Sequence, residues 1–386
     1  MSCQPRQSFK ILLAGVTALV IAMGISRFAY TPLLPIMQLG AGLSDASAGY
    51  LASINYAGYL LGALWMAWRP PVGSALTTLR QQLLINIAST LLMGCLDIFS
   101  FWAVLRFVAG FSSAMIFVLA SGIVLQHLIS HQRQGWSGWL YSAIGIGIII
   151  SALVVPPLGN YFGWKGTWFG LALISFLLAY PAYHWLVAEH APANENPGAS
   201  RATPSQRMLP WLTGAYFCAG LGYIVTGTFL VTMLQRIPGL ETSSNLAWLI
   251  VGLAAAPSSI LWMRVGLHVG PAQALVAAHL TQALGIVLPV VWPSIPGTLL
   301  GALLYGGTFM GIVTLSMYFG RSLTPDAPQR TIGMLTAAFG AGQIIGPTAA
   351  GLIAAQTMSF YPALWAAAIV VFLGALMLVA GHYLVN

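Results

Sequence analysis

Long apolar runs, broken by short polar loops, repeat along almost the whole chain. Twelve of them can be placed: 9–37, 45–68, 81–96, 101–128, 137–158, 166–187, 209–234, 245–262, 271–292, 296–319, 331–355 and 362–385. Each approaches or exceeds the roughly 20 residues that a helix needs to cross a bilayer. The pattern predicts an all-α polytopic membrane protein. A transmembrane barrel is excluded, because its strands would be about ten residues long and would alternate polar with apolar positions. The one long hydrophilic connection, 189–208, is rich in Pro, Asn, Ser and Ala and contains nothing that could bury a core. It predicts two six-helix bundles, 1–188 and 209–386, joined by a linker.

Composition agrees. Of 386 residues, 58% are hydrophobic and only 5% charged, against about 25% charged in a soluble domain. The net charge of +8 does not make a nucleic-acid patch, since the basic residues are scattered one or two per loop. Sorted by side, Arg6, Lys10, Arg69, Arg80, Arg133, Arg201, Arg207, Arg264, Arg321 and Arg330 fall at the N-terminus or after even-numbered runs, and only Lys165 and Arg236 after odd-numbered ones. This bias places both termini and the linker in the cytoplasm. Arg6 and Lys10 before an apolar stretch resemble a signal peptide, but no small-x-small site follows, so the first run is read as a retained helix. The three cysteines, Cys3, Cys95 and Cys218, have no metal spacing and read as small apolar fillers or a terminal thiol.

Against this background Arg27 is out of place. It lies about two-thirds of the way along the first run, with ten mostly apolar residues still to come. An arginine at membrane depth costs about 2.5–3.5 kcal/mol by insertion scales. It either lines a wet solute cavity or snorkels to the interface, and the length of helix beyond it favours the cavity. Tyr30 and Thr31, at i+3 and i+4, are expected on its face. Other runs carry stripes at helical spacing: Ala48, Ala52, Asn55, Tyr59 and Gly62; Arg106, Gly110 and Ser113; Tyr216, Gly220, Tyr223 and Gly227, with Thr226 beside them; Thr336, Gly340, Gln343 and Pro347. For the glycines and alanines helix packing is the better reading. Arg27, Tyr30, Asn55, Tyr59, Tyr223, Thr226 and Gln343 are the substrate-binding candidates: a cation, phenols, amides and a hydroxyl that can donate and accept. Arg106, Gly110, Gly346 and Pro347 are gating or structural candidates, because a mid-run proline flanked by glycines permits bending.

The two halves are faintly alike: Gly24-Ile-Ser-Arg27 matches Gly220-Leu-Gly-Tyr223, and Trp164-Lys-Gly-Thr-Trp168 matches Tyr361-Pro-Ala-Leu-Trp365. Six spans, a linker and six more with internal symmetry is a transporter plan, with solute handled near the midplane between halves. Carboxylates are almost absent from the runs; Asp45 begins the second and Asp97 ends the third. Transport is therefore not expected to be driven through a buried carboxylate. His279, the one mid-run histidine candidate, reads as structural.

The stretches Gly24-Ile-Ser-Arg-Phe-Ala-Tyr-Thr-Pro-Leu-Leu-Pro35 and Gly49-Tyr-Leu-Ala-Ser-Ile-Asn55-Tyr-Ala-Gly-Tyr59-Leu-Leu-Gly-Ala63, with Gly220-Leu-Gly-Tyr223 and Gly342-Gln343-Ile-Ile-Gly-Pro347, resemble the YbfB/YjiJ group of the major facilitator superfamily. Arg106 with Gly110 is similar to that superfamily's fourth-helix motif, where the arginine lies near the cavity. One departure is plain: the loop after the second run reads Met66-Ala-Trp-Arg69-Pro-Pro-Val-Gly73, without the Asp of the superfamily's Gly-x-x-x-Asp. The usual charge latch between halves is then in question. The resemblance implies an alternating-access secondary transporter of the bacterial inner membrane. Arg27 suggests a small anionic solute; the many aromatic residues suggest, as the alternative, efflux of amphipathic or drug-like compounds. No cofactor, metal or nucleic-acid partner is expected, and the chain is expected to act as a monomer in the lipid bilayer. An enzyme is disfavoured because the histidines are dispersed and no catalytic set appears. A sensor is disfavoured because both tails are short.

Overall fold

Helices form where the apolar runs predict them, because in lipid a helix satisfies its own backbone hydrogen bonds. The structure, a computed structural model, describes residues 4–68, 74–133, 136–187, 206–324 and 328–385. The predicted 189–208 linker lies almost wholly outside the described residues. Every described element is helical: α1 (Gln4–Leu19), a π-helical segment (Val20–Phe28), α2 (Tyr30–Ala41), α3 (Asp45–Trp68), α4 (Ala75–Leu92), α5 (Phe99–Ser130), α6 (Ser137–Tyr141), α7 (Ala143–His184), α8 (Leu209–Gln235), α9 (Ser244–Val269), α10 (Pro271–Val291), α11 (Ile295–Leu323), α12 (Pro328–Thr357) and α13 (Tyr361–Val385), with short 3-10 turns at Gln206–Met208 and Glu241–Ser243. Among the described residues nine helices are long and apolar enough to cross a membrane. Their outer faces are apolar; on α13, Trp365, Ile369, Phe372, Leu373 and Leu376 are all exposed at helical spacing, as a lipid-facing stripe would be.

Two elements differ from the pattern in the sequence. The third run is predicted over 81–96, but α4 starts at Ala75 and ends at Leu92. Its start, Ala75-Leu76-Thr77-Thr78-Leu79-Arg80, mixes apolar and polar residues and is cut from the apolar run by Arg80. It is set by Ser74, whose side chain accepts from the Thr77 N–H at 3.4 Å. The fifth and sixth runs share α7, which is broken at Gly163, with φ 62° and ψ −170°. That left-handed backbone is one that glycine adopts without a Cβ penalty.

The chain separates into two compact units. The first comprises residues 1–42 and 54–195, the second residues 43–53 and 196–386. In the first, the π segment, α1 and α2 pack on α7, and α4 packs on α5. Gly24 and Gly147 meet backbone to backbone: a Cβ on either would lie 2.3 Å from the other's Cα. In the second unit α8 packs on α12 and α13, and α11 on α9 and α10, around a core that includes Leu212, Ala215, Tyr216, Ala278, Ile312 and Leu378. His279 sits fully buried with Nδ1 2.8 Å from the Leu275 carbonyl oxygen and Nε2 3.3 Å from that of Ala215, tying α10 to α8.

Also within the second unit, Arg236 donates from Nη1 and Nη2 to the two carboxylate oxygens of Asp45, each at 2.7 Å. Asp45 retains only 12% side-chain exposure and Arg236 44%. A forked pair at a half-wet site contributes about 1 kcal/mol. Arg236→Ala is therefore expected to lower the melting temperature by only a few degrees, measured by thermal unfolding in detergent; a drop beyond 10 °C would mean the pair does more than hold the start of α3.

Candidate functional site

Among the described residues each unit carries a buried cluster that joins polar and aromatic groups. In the first, the helix that holds Arg27 is wound as a π-helix from Val20 to Phe28, every residue of it buried. The Ala29 N–H reaches back five residues to the Gly24 carbonyl at 2.9 Å. Pro32 and Pro35 follow, and neither has an N–H to return to the preceding turn. Single π turns of this kind are frequent at functional sites. Arg27 is 3% exposed. Its guanidinium carbon lies 4.4 Å from the Tyr56 ring centre, 4.7 Å from Tyr59 and 5.5 Å from Phe28. The charge is thus wrapped by aromatic faces, whose quadrupoles attract it.

Arg106, on α5, is 1% exposed. Its Nη1 donates to the Ser26 carbonyl at 2.8 Å, and its guanidinium carbon stands 4.6 Å over the Tyr30 ring. The sequence places Tyr30 on the face of Arg27 by the i+3 rule, which assumes 3.6 residues per turn; the π winding between them changes the register, and the Tyr30 ring stacks on Arg106. Asn55 Nδ2 donates to the Arg106 carbonyl at 2.8 Å. Gly110 makes this crossing possible, since a Cβ there would lie 1.9 Å from the Asn55 carbonyl oxygen. The first unit therefore brings Arg27, Tyr30, Asn55, Tyr59, Arg106 and Gly110 together. Tyr56, between Asn55 and Tyr59 in sequence but off the stripe, joins them; its aromatic ring one residue after Asn55 was the only signal.

In the second unit Gln343 of α12 donates from Nε2 to the Tyr223 hydroxyl, and the Tyr305 hydroxyl donates to the Tyr223 carbonyl at 3.0 Å. The Tyr223 ring stacks between Phe339 and Phe309, at 5.4 Å and 5.6 Å. Tyr216 extends the series beyond Phe339 at 4.4 Å, and Tyr305 beyond Phe309 at 6.0 Å. Thr226 is buried on the same helix, its hydroxyl without a partner among the described residues. The sequence reading misses Tyr305 and Phe309, although Thr298, Gly301, Tyr305 and Thr308 recur on α11 at steps of 3 and 4; that spacing is the available signal. Gly346 seats α12 against α8, where a Cβ would lie 2.6 Å from the Leu221 carbonyl oxygen. Pro347 lies inside α12, which stays helical through it; it has no N–H for the Gln343 carbonyl one turn earlier.

Among the described residues no group of three or more His, Cys, Asp and Glu side chains lies together. The described carboxylates are engaged away from both clusters: Asp45 with Arg236, Asp97 with Lys165 at 2.9 Å, and Glu241 with the Gly239 N–H at 2.9 Å. Glu189, Glu195 and Asp326 lie outside the described residues.

The family described as "Uncharacterised MFS-type transporter YbfB" matches residues 19–379. Among solved structures, a crystal structure of a point mutant of the nucleoside transporter NupG is similar in fold, with a TM-score of 0.71 over 97% of this chain and 98% of that one, at 14% sequence identity. No curated protein matches the chain.

Proposed function

We propose that this chain, which belongs to the YbfB-type family of major facilitator superfamily transporters, is a secondary carrier that moves a small, negatively charged solute by alternating access. Membrane embedding and transport follow from the family. The anionic solute rests on one observation: a guanidinium, Arg27, 3% exposed in a helix of membrane-spanning character and wrapped by Tyr56 and Tyr59. Charge so buried is costly, and in membrane proteins it marks a solute or ion path. Tyr30 and Asn55 are its polar companions in the first unit; Tyr223, Thr226 and Gln343 form the second unit's own polar cluster.

Twelve crossings in two bundles fit the elements. A 42-residue α7 would run about 63 Å if straight, twice the roughly 30 Å hydrocarbon core, so its break at Gly163 supports two crossings. With α1 to α2 as one crossing, α3, α4 and α5 make four, α7 brings six, and α8 to α13 add six. The distribution of Lys and Arg supports an inner-membrane protein with both termini in the cytoplasm, and a monomer suffices for this mechanism.

Proteoliposomes holding the purified protein and incubated with a bacterial metabolite extract are expected to accumulate a small set of anions, read by mass spectrometry. Contents indistinguishable from those of protein-free liposomes would refute the carrier reading. The stack from Tyr216 to Tyr305 favours one alternative, efflux of amphipathic compounds. A deletion strain newly sensitive to such compounds, with no anion exchanged, would select it.

Coupling is proposed to bypass buried carboxylates. Asp97 is half-exposed and paired with Lys165, so Asp97→Asn is expected to leave the response of uptake to a pH gradient unchanged. Strict gradient dependence that this substitution abolishes would overturn the proposal.

A further inference from the structure

Arg106 presents an edge that asks for a ligand. Nη1 is committed to the Ser26 carbonyl, but Nε and Nη2 have no acceptor among the described residues, although both are buried. These two nitrogens form one side of the guanidinium. Their N–H bonds run parallel and match the two oxygens of a carboxylate. Two more buried polar atoms on its immediate partners are likewise unmatched: Ser26 Oγ, on the residue whose carbonyl holds Nη1, and Asn55 Oδ1, on the residue whose amide holds the Arg106 carbonyl. Arg106 thus has an unmatched two-donor edge; an unmatched hydroxyl lies on the residue that holds Nη1, and an unmatched amide oxygen on the residue that holds its main-chain carbonyl. Buried charged donors left without acceptors are costly, and each such group in a native structure needs an explanation. The Tyr30 ring covers the face of the guanidinium, and no described residue gives its edge an acceptor.

We propose that the Nε–Nη2 edge of Arg106 binds the carboxylate of the transported solute. The proposal rests on the carrier reading above and narrows its substrate class to a small carboxylic acid anion. Such a solute has an aromatic or apolar body suited to the rings of Tyr30 and Tyr56. Asn55 Oδ1 accepts from a hydroxyl or N–H that it carries. A planar carboxylate matches the two parallel N–H bonds of this single edge, whereas the third oxygen of a phosphate falls outside it. Arg106, grouped by the sequence with gating residues, becomes a binding residue.

The test uses the purified full-length protein in lipid nanodiscs with benzoate and its neutral isostere benzamide as probes. Calorimetry is expected to show benzoate binding about tenfold or more tighter than benzamide, a factor that corresponds to about 1.4 kcal/mol. Arg106→Lys keeps the charge but loses the fork, and is expected to weaken benzoate about tenfold, while Arg321→Lys, at an exposed position, leaves it unchanged. A wild-type measurement guards against a variant that misfolds: benzoate, but not benzamide, should slow modification of Arg106 by phenylglyoxal, mapped by mass spectrometry. Equal affinity for the two probes, no benzoate binding, or an unprotected Arg106 would each overturn the proposal. If proteoliposomes nonetheless exchange a neutral metabolite, the carrier reading stands and only the carboxylate assignment falls; if they exchange nothing, the carrier reading itself has failed.

Discussion

Replacing Arg27 with alanine is expected to reduce uptake of the exchanged solute by about 100-fold, or ~3 kcal/mol, as when one partner of a buried charge interaction is removed. The melting temperature is expected to stay within a few degrees of wild type. The split between the two readouts carries the argument. Holding a guanidinium at 3% exposure among Tyr56, Tyr59 and Phe28 forfeits much of its hydration, so truncating it relieves that cost while losing the ring contacts. An arginine kept for folding would show the opposite behaviour. Arg27→Lys should fall between, since an ammonium keeps the charge but cannot stack as a plane on two phenols. Transport counted per folded molecule, beside thermal unfolding in the same detergent, checks both. Intact transport with a large loss of stability would show that Arg27 serves the fold alone.

The second large effect is structural. Gly24→Ala is expected to destabilise the protein by about 3 kcal/mol, at the upper end for overpacking, and Gly24→Leu to abolish the yield of monodisperse protein. The added Cβ would lie 2.3 Å from the Gly147 Cα and 3.1 Å from its carbonyl carbon. Both are backbone atoms, which cannot turn aside as a side chain can. The control is Gly122→Ala on α5, where a Cβ meets nothing within 4 Å. That change should be neutral, or stabilising by up to ~1 kcal/mol through helix propensity. Equal melting of Gly24→Ala and Gly122→Ala, followed by size-exclusion after heating, would contradict the close approach. Because Gly24 lies three residues before Arg27 on the π segment, the alanine variant should also lose uptake out of proportion to its folded fraction.

Much of this was legible in the sequence, for reasons particular residues make clear. The apolar runs locate the helices because burial in lipid demands long uninterrupted apolar stretches, and Arg27 stands out against them by cost alone. The candidates in the first half converge because Asn55 and Tyr59 lie on one face of α3 and Gly110 leaves room for α5 to cross it. What the sequence could not convey is winding. The π segment is set by Gly24, the prolines beyond it and the packing against α7, and no periodicity count registers a five-residue return. It changes the register between Arg27 and Tyr30, and Arg106 stands over the Tyr30 ring. Likewise α4 begins six residues early because Ser74 caps a turn of mixed polarity, and Tyr305 and Phe309 join Tyr223 through packing between α8 and α11, which one-dimensional spacing does not encode.

The most direct test is an experimental structure of the full chain with its exchanged solute bound. The two buried guanidiniums of the first unit are predicted to hold its acidic group, with oxygens about 2.7–2.9 Å from the nitrogens of Arg106, Arg27 or both. A bound solute that carries no acidic group, or one whose acidic group lies out of reach of either arginine, would contradict the account.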